Sequence, residues 1–175
     1  MNRVPNQVTG RGPEHLRALL RHFADLRDGS HGGQTTRFGK EELFARAVAL
    51  LDPYAKLALE EINENLLLGT GAVSATGVVS AADQGKQALW SLSWPEQNAA
   101  GISPITLRAD YGSAFHHPHL QGATVGVWPM NVFTQADAEG ALGTLRAIAT
   151  ADLHNLVYQR DYRIVPATTR VSATP

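Results

Sequence analysis

The repeat of apolar residues changes from a helical to an alternating period near Gly69-Thr70-Gly71 and turns helical again after about Ala136. Few folds accommodate that order. Before the switch, Leu16, Leu19, Leu20, Phe23 and Leu26 recur at i, i+3, i+4, i+7 and i+10, which predicts a helix from Pro13 that stops near Asp28-Gly29 with its leucines toward the core. A Gly-rich loop, Gly29 to Gly33, separates it from a second helical stretch. Asp52-Pro53 reads as a cap followed by a first helical residue, so two helices are expected there, about 40–51 and 53–67.

After the switch, Trp90, Leu92 and Trp94 alternate with serines, and Ile105, Leu107, Ala109 and Tyr111 alternate with Thr106, Arg108 and Asp110. Ala123, Val125 and Val127 repeat the pattern, which predicts three half-buried strands. Helical spacing returns from Ala136 to about Tyr158, and Tyr162 to Val165 suits a closing strand. The expected class is α+β: N-terminal helices, an antiparallel meander, a long helix and a last strand. One domain spans 13–165, between a flexible start (1–12) and a flexible tail (166–175), both small, polar and short of apolar surface.

Chemistry concentrates in His116-His117-Pro118-His119, three of seven histidines within four residues. Imidazole is the common ligand for divalent metals and the side chain that moves protons near neutral pH. Pro118 pushes His117 into an extended conformation, and in an extended chain residues two apart project to one side, so His117 and His119 converge while His116 faces away. Two imidazoles need a third ligand, expected from His154 on the long helix or from an acid. Asp152 falls on that helix's apolar sector, where a lone carboxylate must be paired. Two chemistries stay open: a divalent metal (zinc, iron, manganese or copper) held by these histidines, or metal-free general acid/base catalysis by the histidines with an orienting acid, with Asp110, Asp152 and His116 as the candidate catalytic residues.

The chain contains no cysteine, which leaves histidine and oxygen as the available metal ligands. Lys and Arg total 15 against 16 Asp and Glu, so no basic field draws nucleic acid. No run approaches the ~18 apolar residues of a membrane span, and the opening lacks a signal peptide's apolar stretch, so a cytoplasmic protein is expected. Residues 69–175 carry only 6 basic and 7 acidic side chains. Such a charge-poor half, with Trp90, Trp94, Trp128 and Tyr111, predicts a pocket for an apolar or aromatic small molecule and contact with further copies of the chain. The expectation is a small histidine-dependent lyase, isomerase or hydrolase; the alternative is a non-catalytic binding or assembly subunit docking through that half.

Overall fold

The computed structural model describes residues 12–114 and 116–170. Helix α1 (Glu14–Asp28) begins after Pro13 and ends at Gly29, whose φ of 63° closes the helix in the left-handed conformation that glycine adopts without strain. Helix α2 (Arg37–Asn65) starts where the Thr36 hydroxyl accepts from the Gly39 amide at 3.1 Å. It then runs straight through Pro53.

One helix therefore stands where two were expected. Asp52 does not cap: its carboxylate receives the Trp90 indole N–H at 2.9 Å and the Lys56 ammonium at 2.7 Å. Leu51, Ala55, Ala58 and Leu59 continue a single buried stripe across the proline. Burial of that stripe outweighs the loss of one helical hydrogen bond.

The sheet runs β1 (Ala72–Ala75), β3 (Lys86–Ser93), β4 (Ile105–Tyr111), β5 (His119–Gly122) and β6 (Trp128–Pro129), with β2 (Val79–Ser80) also on β3. Every pairing is antiparallel. A short helix, α3 (Pro95–Ala100), joins β3 to β4, and in both strands buried and half-buried residues alternate. Trp90 pairs with Leu107, Ala88 with Ala109, and Ala109 with Leu120, which sets one apolar face. Helices α2 and α5 (Leu142–Gln159) pack together and against these strands, so the α+β architecture expected from the period switch is present.

Several local features differ from expectation. Ala123, Val125 and Val127 form no strand: the segment bends back, with the Gly122 amide donating to Val125 O, and the pairing strand lies earlier, at His119–Gly122. The C-terminal helical stretch divides into α4 (Gln135–Gly140) and α5 at Gly140-Ala141. Tyr162–Ile164 is a 3₁₀ turn rather than a closing strand, because the Asp161 carboxylate caps the Arg163 amide and the Ile164 carbonyl turns inward to accept the Trp94 indole N–H. Pro166–Thr168 forms a second such turn, tied by the Ala167 amide to Leu66 O at 3.0 Å; the start at 1–11 and the end at 171–175 lie outside the described residues. Among the described residues no helix is long and apolar enough to cross a membrane.

Helix α1 is oriented opposite to its pattern. Leu16, Leu20, Phe23 and Leu26 are 53, 46, 57 and 51% exposed, while His22 and Asp25 are buried. The face that reads as polar in the sequence is the one that meets the sheet.

Candidate metal centre

Register brings the first two imidazoles together. His119 opens β5 opposite Asp110 and Pro129, while His117 precedes it across Pro118 in the connection from β4. Their ring centroids lie 4.7 Å apart. The third imidazole comes from the inward face of α1: His22 Nε2 is 3.4 Å from His119 Nε2, and its ring centroid is 3.5 Å from that of His117. One nitrogen from each of His22, His117 and His119 lies within 4.8 Å of the others.

These distances fit a divalent ion. Zinc–nitrogen bonds of about 2.0–2.1 Å in a tetrahedron separate the donor atoms by about 3.3 Å. The His22–His119 pair already has that spacing. Three neutral donors leave a coordination position open, as catalytic rather than structural sites do.

Electrostatics point the same way. Burial, reinforced by the neighbouring His117 and His119, lowers the His22 pKa to about 3. Burial and the His119 and His116 rings lower that of His117 to about 4. Burial also lowers His119, against the raising effect of the Asp110 charge. At neutral pH all three imidazoles carry free lone pairs, the state a metal requires. Two buried nitrogens, His22 Nδ1 and His117 Nδ1, have no hydrogen-bond partner.

Next to the centre lies a buried carboxylate–imidazole pair. His31 Nδ1 is 3.3 Å from Asp25 Oδ2, and the His31 ring packs edge-on to Tyr111 and at a tilt to Phe133. Burial raises the Asp25 pKa and lowers that of His31, which favours the neutral pair. The His31 charge would act on both His22 and His117.

The remaining candidates lie elsewhere. His154 is exposed on α5 beside Asn155 and does not join the group. His116 is exposed. Asp152, 0% exposed, accepts from the Thr106 amide at 3.0 Å and from the Thr124 amide and hydroxyl at 2.8 and 2.6 Å, so its carboxylate pins α5 to β4 and to the bend after β5. Asp110 stays at the centre through its register with His119. Trp90, Trp94 and Tyr111 are core residues, the two indoles bonded to Asp52 and to Ile164 O. Trp128 alone of that set borders a cleft, of about 690 Å³, between α1 and the β6–α4 segment, together with Leu19, Leu120, Met130 and Asn131.

Sequence reasoning missed His22, Asp25 and His31. His22 follows a leucine stripe from which it points away, and amphipathic logic assigns that side to solvent. A usable signal was present: His22 and Asp25 stand one turn apart on one helix face, just before a loop that carries another histidine. Compared with protein-family models, with curated proteins and with solved structures, the chain shows no match.

Proposed function

We propose that this protein is a small metal-dependent enzyme whose centre is His22, His117 and His119, acting on an apolar or aromatic small molecule by hydrolase, lyase or isomerase chemistry. The convergence of three neutral imidazoles from two separate parts of the chain carries this reading. Imidazole donors suit zinc, copper and iron, with manganese the weaker fit. A divalent ion held there supplies Lewis acidity to a water or a substrate oxygen. The Asp25–His31 pair, whose charge would act on His22 and His117, is the proposed acid/base partner of the centre. The substrate class follows from the cleft, whose walls include Leu19, Leu120, Trp128 and Met130 and whose α1 side runs from Glu14 to Leu19, ending one turn before His22.

Metal analysis of untagged protein tests this. One equivalent of metal retained after dialysis, and lost in His22→Ala, His117→Ala and His119→Ala variants that still fold, supports the centre. A folded wild-type chain that takes up neither zinc nor cobalt overturns it.

The assembly reading has its own support, on a different surface from the charge-poor half. Leu16, Leu19, Phe23 and Leu26 repeat at heptad spacing, with three of the four more than half exposed, so a second copy of the chain is the partner that a helix-to-helix seam fits. Sedimentation of wild type and of a Leu16→Glu, Phe23→Glu variant decides it: a dimer that dissociates in the variant supports the seam, and a monomeric wild type refutes it.

A further inference from the structure

Asn131 follows β6 and reaches across to α1, where its Nδ2 donates to the carbonyl of Ala18 at 3.0 Å. That bond settles the orientation of the amide, because a carbonyl oxygen accepts only from the nitrogen end. Oδ1 is therefore the free end of the side chain, and it is buried without a partner. Ala18 lies one helical turn before His22, so the anchored amide sits beside the His22 ring. The His22 Nδ1, like the His117 Nδ1, is a further buried atom of the centre that lacks a partner. The Asn131 and His22 side chains interact, so an unsatisfied acceptor and an unsatisfied prospective donor stand on neighbouring side chains. Leaving either unpaired is costly.

We propose that Asn131 is the positioning residue of the histidine centre: its Oδ1 receives the Nδ1–H of His22, which leaves the His22 Nε2 lone pair directed at the site shared with His117 and His119. This rests on the metal-centre reading for its purpose, though not for its existence in the metal-free chain. Neutral imidazole carries one proton, and whichever nitrogen holds it cannot ligate. A hydrogen bond to one ring nitrogen therefore selects the other as ligand and fixes the plane of the ring. The His22 Nε2 that would be freed is the atom 3.4 Å from His119 Nε2. The Asn131 side chain already acts on the ring, raising the His22 pKa against the larger effect of burial. A purely structural asparagine needs its bond to Ala18 and gains nothing from an acceptor aimed at His22.

Long-range proton–nitrogen correlation spectra of metal-free protein at neutral pH read the His22 tautomer directly. Wild type is expected to carry the proton on Nδ1. Asn131→Leu is expected to move it wholly or partly to Nε2 and to weaken cobalt binding about 10- to 100-fold. A wild-type His22 protonated on Nε2, or a tautomer unchanged in Asn131→Leu, overturns the assignment, and the wild-type spectrum decides even if the leucine variant does not fold. Nδ1–H in a wild type that binds no cobalt upholds the Asn131 contact and overturns the metal reading alone.

Discussion

Lowering the pH should destabilise the metal-free protein through His22 and His117 specifically. In the unfolded chain each imidazole titrates near its ordinary value of 6.5, whereas in the folded chain the two titrate at about 3 and about 4. Above the unfolded value both states are neutral and the groups contribute no pH dependence. Below it the unfolded chain gains protons that the folded chain refuses, so stability falls as pH drops from 6.5 and levels off only beneath the folded values. At about pH 5 both rings are still neutral in the fold, and the imbalance is about 1.5 pH units, or about 2 kcal/mol per ring. The partial exposure of His117 reduces its share, leaving about 3 kcal/mol for the two together. Urea denaturation in the presence of a chelator, at about pH 7.5 and about pH 5, measures the effect. Other groups titrate over the same range, so the comparison is with a His22→Gln, His117→Gln variant, whose loss between the two pH values should be smaller by about 3 kcal/mol. Equal losses in both proteins would refute the premise that the fold holds these imidazole rings neutral.

Four further outcomes follow from the fold. Asp152→Ala removes the acceptor for two amides and a hydroxyl and should cost about 3–5 kcal/mol in denaturant unfolding; His154→Ala, at an exposed position outside the histidine group, should change stability by less than about 0.5 kcal/mol and leave metal uptake intact. Trp94→Phe keeps most of the buried ring but deletes the indole N–H donated to Ile164 O, so a loss of about 1–3 kcal/mol is expected by the same assay. Zinc at saturating concentration should slow amide exchange in α1 more than in β3 or β4, because one of the three ligands rides on that helix; uniform protection by mass spectrometry would contradict the assigned ligand set.

How much of this was legible in the sequence depends on which force decides each element. The end of α1 at Asp28-Gly29 and the strand Ile105–Tyr111 were readable because a glycine terminator and strict alternation are local signals. The continuity of α2 through Pro53 was not, since it depends on a buried stripe packed against distant partners and on Trp90 drawing Asp52 away from a capping role. Convergence of His117 and His119 followed from the extended dipeptide at Pro118. The third imidazole of the cluster was not found for a physical reason: periodicity reports which face is apolar, and it assumes that the apolar face is the inner one. In α1 it is the polar face that packs inward, so His22 was invisible to that logic while His154, on the long C-terminal helix, looked eligible. Asp152 was correctly recognised as a carboxylate that must be paired, but its partners are backbone amides and a threonine hydroxyl.

The inverted setting of α1 separates two properties that most metal centres share. With its leucines outward, this helix draws little cohesion from the hydrophobic interior, and polar ties join it to the body, among them Asp25 to His31, His22 to His119 and Asn131 to the Ala18 carbonyl. The interior built by α2, α5 and the strands does not depend on it. Variation in α1 can therefore move or remove the third imidazole while the scaffold carrying His117 and His119 persists, which makes the helix a replaceable jaw on a fixed anvil.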